Sequence, residues 1–525
     1  MPQRSTPYYQ YAVILLWGVA CMVFFCFFYP HHLFYQEQNQ LFLLTTDYLC
    51  TYWQKPAWLA CMAGDFLTQF YYYLYAGPAI LTVALLTVGD LWRRGGQRAG
   101  LNRHVAFVAA MVLMTLHFCL CLGVNYRLSQ VIALMGGQAA YLCTSWLLRR
   151  GKGWLLTMPL LIGLLTYWLF GYGVWAYLLL AALDVALHRR KALLCLVPAL
   201  LLIPLIMMAG PHCYYLTPGH ALTYPGLGKL KTPDWILEKN FAVSDEYYFG
   251  HYDKVEQLVE NAGQRTDQML FFYNLVQAQK GELPDHLLKY TPNQLGTFYA
   301  IGPETPRLVI INMNELYWAL GDMTMTERAA MMTNVFSPRN RNVRMMKRLA
   351  ECNMVSGDTL AATKYLRLLQ HTWAYRDWSD RITAHEPKAW RYIIEKQKFT
   401  NQADTIRLSD NLHMVMMELL DSNPANTAAL DYILCSTLLL KDMDNFKRDY
   451  DRYCIDTGRP RRKKLYQQAL MIYLAGTHAP QEEWSKYIYD QAEVQRFSDY
   501  NSHRGDPRFS DTYWYYFDTA KTPAP

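Results

Sequence analysis

Long, nearly unbroken apolar runs occupy the first 210 residues of the chain, separated by short polar loops. Such runs predict membrane-crossing helices, because about 20 helical residues cover the hydrocarbon core of a bilayer. The runs are Tyr9–Tyr29, Phe66–Val88, Val105–Gly123, Ser129–Leu148, Trp154–Phe170, Val174–Leu187 and Ala192–Gly210. They predict a polytopic helical membrane domain over residues 1–210 with about seven crossings, of which the fifth and sixth are short.

The pattern changes after Gly210. Residues 211–233 are rich in Pro, Gly and Tyr and predict a linker. From residue 234 to residue 525, apolar positions recur with helical spacing in segments that often end in Gly or Gly-Asp, which is a helix stop signal. No convincing run of alternating strand residues appears, so the sequence predicts an all-α protein.

One stretch of this second half, "RLAECNMVSGDTLAATKYLRLLQ", has the pattern of small and apolar residues that is typical of a tetratricopeptide hairpin. Leu349 and Ala350 suit close helix packing, Gly357-Asp358 suits the turn, and Ala362 faces back. A weaker second match begins at Asn423. Paired helices of this kind bury their apolar faces only by stacking on neighbours, so we predict a tetratricopeptide-like α-solenoid over 234–525. Such surfaces typically bind a protein partner.

The distribution of positive charge predicts the orientation of the chain, because Lys and Arg in short loops stay on the cytoplasmic side. One set of loops is basic and contains Arg4, Arg93, Arg94, Arg98, Arg103, Arg149, Arg150, Lys152, Arg189, Arg190 and Lys191. The opposite loops contain only Lys55 and Arg127. We therefore expect a cytoplasmic N-terminus, with the first loop (30–65) and the helical-repeat domain on the outer side. The net charge of +7 then reflects topology and does not indicate nucleic-acid binding.

The first outer loop mixes carboxylates and amides with Leu and Phe in "YQEQNQLFLLTTDYL". If residues 33–49 form one helix, Gln36, Gln40 and Asp47 share a face, with Glu37 beside them. Such a helix would lie in the bilayer interface with its apolar side towards the lipid.

Three blocks of the sequence resemble a family of polytopic membrane proteins from Bacteroidota that is known as a domain of unknown function. The blocks are "QEQNQLFLLTTDYL", "GDFLTQFYYYLYAGP" and "RMMKRLAECNMVSGDTLAATKYLRLLQHTWAYRDW". The resemblance covers most of the chain. It implies a Gram-negative inner membrane and a periplasmic helical domain, and it implies no activity.

The layout of the chain is also similar to that of C-type membrane glycosyltransferases, which use a polyprenyl-phosphate-linked sugar at the outer face of the membrane. This resemblance implies a catalytic carboxylate in the first outer loop, for which Glu37, Asp47 and Asp65 are the candidates, and Arg127 as a ligand of the lipid phosphate. His117 and Gln138 are further candidate ligand-binding residues at membrane depth, although a hydrogen bond from each to a neighbouring helix is the favoured interpretation. The loop carboxylates are isolated here, whereas that class typically carries adjacent acidic residues.

Other chemistry has little support in the sequence. Nucleotide-binding, serine-hydrolase and zinc-protease motifs are absent, the histidines lack zinc spacing, and we expect no metal or cofactor. Pairing among Cys213, Cys352, Cys435 and Cys454 is left open. Two hypotheses follow: an inner-membrane scaffold or adaptor in envelope biogenesis whose periplasmic helical-repeat domain docks a protein partner, or alternatively a membrane glycosyltransferase.

Overall fold

The computed structural model describes residues 8–148, 158–188, 201–290, 304–400 and 411–521, together with positions 295, 302 and 409. The described residues form helices, turns and loops and contain no β-strand, which confirms the predicted all-α class. The chain divides into two compact units. The first contains residues 1–238, 341–343 and 367–379, and the second contains residues 239–340, 344–366 and 380–525.

The N-terminal part of the first unit is built from apolar helices of unequal length. They are α1 Tyr8–Val23, α2 His31–Gln38, α3 Thr46–Cys50, α4 Trp58–Thr68, α5 Ala76–Arg98, α6 Arg103–Cys121, α7 Leu128–Leu148, α8 Met158–Phe170, α9 Gly173–His188, α10 Leu202–Tyr214 and α11 Pro218–Thr223. A π-helical turn, Phe24–Phe28, extends α1, and 3₁₀ turns cover Thr51–Gln54 and Gln69–Tyr72.

Two helices, not the predicted seven or so, are both long and apolar enough to cross a membrane within the described residues. They are Tyr8–Phe28 with a mean hydropathy of 2.4 and Arg103–Cys121 with 2.0. Helices α8, α9 and α10 have 13, 16 and 13 residues, which is short of the required length. Helices α5 and α7 are long enough but carry polar residues such as Asp90 and Gln138. Residues 154–157 and 192–200 of the predicted fifth and seventh crossings lie outside the described residues.

Helices α1, α5, α6 and α7 alternate in direction. At one end, the Tyr9 hydroxyl of α1 lies 2.9 Å from His104 Nδ1 of α6, so these two helices are parallel. Arg93, near the end of α5, lies 5.9 Å from the ring of Tyr11, so α5 is antiparallel to α1. Arg98 Nε donates to Ser145 Oγ over 3.3 Å, which makes α7 parallel to α5. The basic end of α5 therefore lies beside the start of α1.

The first loop is not the single interfacial helix that the sequence predicts over 33–49. Helix α2 ends at Gln38, the chain is irregular from Asn39 to Thr45, and α3 begins at Thr46. The backbone N–H of Leu44 donates to the carbonyl of His371 over 2.8 Å, which holds this irregular stretch in place. Long-range contacts within the first unit therefore override the helical periodicity of the loop.

The remaining chain forms helices α12 to α28. They are α12 Trp235–Tyr248, α13 Tyr252–Glu260, α14 Asp267–Lys280, α15 Leu283–His286, α16 Arg307–Leu320, α17 Met323–Phe336, α18 Val343–Ser356, α19 Thr359–Gln370, α20 Arg376–Thr383, α21 Pro387–Gln397, α22 Leu412–Ser422, α23 Thr427–Leu439, α24 Met443–Tyr450, α25 Lys464–Gly476, α26 Gln481–Tyr487, α27 Gln491–Ser502 and α28 Tyr513–Thr519. Neighbours such as α16 and α17, or α23 and α24, pack as hairpins. This arrangement agrees with the predicted paired helices.

Two smaller expectations have clear outcomes. The 211–233 stretch is not wholly irregular, because Thr217 caps the short helix α11 by accepting a hydrogen bond from the backbone N–H of His220 over 3.4 Å. The thiols of Cys213, Cys352, Cys435 and Cys454 are all free.

Candidate functional site

The Glu37 carboxylate is buried in the first unit, with 1% of the residue exposed. It lies near the end of α2, whose first turn is held by the Glu238 carboxylate, which accepts the backbone N–H groups of His31 and His32 over 2.6 and 3.2 Å. The Tyr375 hydroxyl donates to Glu37 Oε1 over 2.9 Å. Glu37 is therefore an internal acceptor and does not face the outer surface as an open-loop carboxylate would.

Asp65 is likewise buried, with 2% exposed, and it ends a chain of hydrogen bonds. The Tyr52 hydroxyl donates to Asp65 Oδ2 over 2.7 Å and lies 3.0 Å from the Tyr48 hydroxyl. Arg341 Nη1 donates to the Tyr48 hydroxyl over 2.7 Å. Burial, with a smaller contribution from the Asp65 charge, raises the pKa of Tyr52, so this phenol stays protonated as a donor.

Asp47 has a different environment from the other two candidate carboxylates. It lies on the short helix α3 and is exposed. Within the described part of the chain, its side chain makes no hydrogen bond and no ion pair. Of the three predicted catalytic candidates, Asp47 is the one that solvent reaches freely.

The three predicted ligand-binding residues lie at the ends and in the middle of the bundle. Arg127 is half-buried, and its backbone N–H donates to Gln130 Oε1 over 2.9 Å. The His117 ring lies 3.1 Å from the carbonyl of Leu113, a contact within its own helix. Gln138 is fully buried on α7, and neither of its amide atoms has a hydrogen-bond partner among the described residues.

The second unit contains a cavity of about 540 Å³ that the sequence did not point to. Side chains of α12, α16, α18 and α21 line it, together with residues at the start of α23. Its aromatic lining includes Tyr247, Tyr252, Trp318, Tyr392 and Phe399. Its charged lining residues are Glu315, Lys347, Arg348, Glu351, Glu395 and Lys396.

Arg348 organises one wall of this cavity. Its guanidinium donates to Glu315 Oε2 over 2.7 Å and lies 3.2 Å from Glu351 Oε2. The same group lies 4.4 Å from the centroid of the Trp318 ring. Glu351 also accepts the Tyr392 hydroxyl over 3.0 Å. The Arg348 charge is thus neutralised by two carboxylates.

Lys396 on α21 has no such counter-ion. Its ammonium donates to the carbonyl of Ala319 over 2.9 Å and lies 5.3 Å from the Trp318 centroid. No carboxylate oxygen of the described residues lies within 4.0 Å of Lys396 Nζ. Burial, followed by the charge of Arg348, lowers the pKa of Lys396 to about 7, while Glu315 acts in the opposite direction. A cation of this kind is suited to bind an anion.

A weak signal for the cavity is visible in the sequence of α18. Arg344, Lys347, Arg348 and Glu351 recur at helical spacing on one face, which is ordinarily a solvated face. The structure buries much of it, with Arg344, Arg348 and Glu351 each less than 7% exposed. A charged stripe in the block that carries the repeat-like hairpin is therefore the feature that could have revealed this site.

The described residues contain no group of three or more His, Cys, Asp or Glu side chains placed to hold a metal ion. The cavity side chains offer hydrogen bonds, ion pairs and aromatic contact.

Comparison with known proteins places the chain in a family and gives no activity. No curated protein and no solved structure matches it significantly. Residues 5–520 match the model of a family of unknown function, DUF6057. Because this match spans nearly the whole chain, the protein belongs to that family.

Proposed function

We propose that this protein is an integral protein of a bacterial inner membrane whose second unit (the helical unit) docks a partner protein, as a scaffold or adaptor in envelope biogenesis. The cavity around Trp318 and Lys396 carries the docking part of the proposal. The partners are accordingly the lipid bilayer and one protein, without nucleic acid.

Outward-facing apolar side chains support membrane insertion of the first unit. Leu15 and Leu16 of α1 are each 68% exposed, and Val108 and Val112 of α6 are 58% and 53% exposed. Only 22% and 28% of the residues in the apolar windows of these two helices are buried. Contiguous exposed apolar surface of this kind favours contact with lipid over contact with water.

The directions of the helices support more crossings than the two that meet the length criterion. Because α1 and α6 are parallel and joined through antiparallel α5, the chain must return across the bilayer along α5 if the other two cross. Helix α7 continues the alternation. We propose that the shorter helices α8, α9 and α10 complete the same bundle, with the basic ends in the cytoplasm and the helical unit in the periplasm.

Docking fits the chemistry of the cavity. Aromatic side chains supply large contact area at low entropic cost, and Arg and Tyr are enriched at the centres of protein interfaces. Phe399, on the lining, is 44% exposed and therefore available to a partner. A segment of a partner protein would cover this aromatic surface and place its polar groups against Lys396.

A site-specific photocrosslinker tests this proposal. We expect p-benzoylphenylalanine at position 399, in the full-length protein in cells, to give one discrete adduct that mass spectrometry identifies. The same group at Leu360, which is 85% exposed and does not line the cavity, serves as the control position. A crosslinker placed in the identified segment of the partner should then label this protein at the cavity.

A pocket-filling substitution makes the test specific. Thr427→Trp adds bulk at an exposed lining position at the first turn of α23, and we expect it to abolish the adduct. Gln491→Trp makes the same kind of change at the exposed first turn of α27, away from the cavity, and should leave the adduct unchanged. Identical adducts from positions 399 and 360, or an adduct insensitive to Thr427→Trp, would refute docking at the cavity.

The glycosyltransferase hypothesis now depends mainly on Asp47, because this carboxylate is exposed whereas Glu37 and Asp65 are each engaged by a tyrosine. We expect Asp47→Asn and Glu37→Gln to complement a deletion strain fully at normal abundance. Loss of complementation by Asp47→Asn at unchanged abundance would favour an enzyme that uses a polyprenyl-phosphate-linked sugar. The amide of Glu37→Gln still offers an oxygen to the Tyr375 hydroxyl, which makes it a conservative control.

A further inference from the structure

Among the described residues, two of the three cations that line the cavity of the second unit are paired with carboxylates, and the third is not. Arg348 is paired with Glu315 and Glu351, and Lys347 Nζ lies 3.4 Å from Glu351 Oε1. Glu395 is exposed on the lining. Lys396 alone among the three cations lacks a carboxylate within 4.0 Å in the described part of the chain.

The position of Lys396 suits a ligand that enters from solvent. Its ammonium donates one hydrogen bond to the carbonyl oxygen of Ala319, 2.9 Å away, which leaves two N–H groups for a ligand. Trp318 and Phe399 offer aromatic surface on the same lining. An ammonium that is partly withdrawn from solvent and lacks a counter-ion is costly, and an incoming anion would relieve that cost.

We propose that Lys396 is the recognition site for one acidic side chain of the docked partner, an Asp or Glu next to an aromatic or other apolar residue. The carboxylate pairs with the Lys396 ammonium, and the neighbouring apolar side chain packs on Trp318 and Phe399. This inference rests on the proposed docking function and names the chemistry of the docked segment.

A monoanion fits this cavity better than a dianion such as a phosphate. One uncompensated cation matches one negative charge, and the other two cations are already engaged by carboxylates of the cavity. A phosphate would bring a charge of about −1.5 to −2 against that single ammonium. A carboxylate would also form a charge-assisted hydrogen bond with Lys396, which is among the stronger kinds.

Binding of the carboxylate is coupled to a proton. Free Lys396 has a pKa lowered to about 7, and a bound carboxylate raises it, because the opposite charge favours the ammonium form. The affinity is therefore nearly constant below pH 7 while the partner carboxylate stays ionised, and it decreases as the pH rises above 7, where the free amine loses its proton. The other charged groups of the cavity are Glu315 on α16, Lys347, Arg348 and Glu351 on α18, and Glu395 on the same helix as Lys396. Arg348 is paired with Glu315 and Glu351.

The experiment uses 3-phenylpropionate as the probe on the full-length protein in detergent or nanodiscs. Trace acetylation with acetic anhydride, read by peptide mass spectrometry, follows the reactivity of every lysine at once. We expect Lys396 to titrate near pH 7 and to be protected by the probe at pH 7, with its acetylation rate falling about fivefold or more when the charge-assisted pair forms. Exposed Lys388 on the same helix calibrates the reagent.

Two controls separate charge from shape. The uncharged analogue 3-phenylpropionamide should protect Lys396 weakly, whereas phenyl phosphate reports on the dianion. Lys347, which lines the same cavity but is already paired with Glu351, should keep its reactivity if the effect comes from pairing at Lys396. Equal protection by the amide and the acid, or no protection by either, would overturn the proposal, and stronger protection by phenyl phosphate would replace it with a phosphate site.

The crosslink from position 399 keeps this inference distinct from docking itself. We expect Lys396→Met to weaken the adduct about tenfold or more and Lys388→Met to leave it unchanged, as loss of one charge-assisted hydrogen bond predicts. An adduct that survives Lys396→Met would refute the acidic-segment proposal while docking stands. Acid protection of Lys396 without any crosslink would instead refute docking and leave a small-molecule carboxylate site.

Discussion

Several charged side chains of this protein are buried and are therefore held by specific hydrogen-bond or ion-pair partners. Glu37 and Asp65 are buried acceptors of tyrosine hydroxyls, and Arg348 is a buried cation held by two carboxylates. Removing one member of such a group leaves its partners buried without a hydrogen-bond or charge partner, which strongly lowers the free energy of unfolding. Replacing the whole group by apolar residues of similar volume is often neutral.

Arg348→Met tests this at the cavity wall. The change leaves Glu315 and Glu351 buried without their common cation, and we expect it to lower the free energy of unfolding by about 3–5 kcal/mol. Arg381→Met, which breaks an ion pair with Glu386 whose side chains are 44% and 38% exposed, should cost far less because solvent screens this pair. Urea unfolding followed by far-UV circular dichroism measures both, and equal losses in the two variants would contradict the proposed contribution of burial.

Recurrent turns set the geometry of the helical unit. In the described residues of this unit, a residue with positive φ is followed at three places by an Asp whose carboxylate accepts the backbone N–H three residues later: Gly321-Asp322, Gly357-Asp358 and Lys441-Asp442. Positive φ ends one helix and the Asp cap starts the next, so each dipeptide joins two helices with a minimum of chain.

Alanine substitutions distinguish the two glycine turns. At Gly357, with φ +81° and open space around an added Cβ, we expect a loss of about 1 kcal/mol from backbone strain alone. At Gly321, with φ +83°, an added Cβ would meet the carbonyl oxygen of Phe399 at 2.7 Å, so Gly321→Ala should cost distinctly more. Gly476→Ala, in a helix with open space, should be neutral or stabilising. Equal unfolding midpoints for the two turn variants would contradict this order.

The helices could be predicted from the sequence because they depend on interactions between residues that are close together in the chain. The Gly-Asp stops and the apolar runs report on local backbone geometry, and helices form where they predict them. The break at Asn39, the burial of Glu37 against Tyr375 and the unmatched charge of Lys396 depend on residues up to 338 positions apart. One sequence carries no information on such pairings, so the loop conformation could not be predicted, and the charged stripe of α18 was the one local signal of the cavity.

If the first unit is inserted in a membrane as proposed, the side of the membrane on which the second unit lies depends on how many helices cross. An odd number of crossings places the helical unit opposite the N-terminus, and an even number places both on the same side. The alternation of α1, α5, α6 and α7 fixes the first four directions. The shorter helices α8, α9 and α10 then decide whether the cavity faces the periplasm.

Thiol accessibility measures this directly. Ser356→Cys and Ser502→Cys introduce reactive groups at exposed positions of the helical unit, whereas Ser244 is buried and hydrogen-bonded to Asn312 and is unsuitable. In a background without the native cysteines, we expect a membrane-impermeant maleimide to label both variants in cells with a permeabilised outer membrane, because the proposed seven crossings would put the helical unit in the periplasm. Labelling only after lysis of the inner membrane would mean that an even number of helices crosses. The partner whose acidic segment Lys396 recognises would then have to be sought in the cytoplasm, and a glycosyltransferase using an outward-facing lipid carrier would lose the periplasmic helical unit that its layout requires.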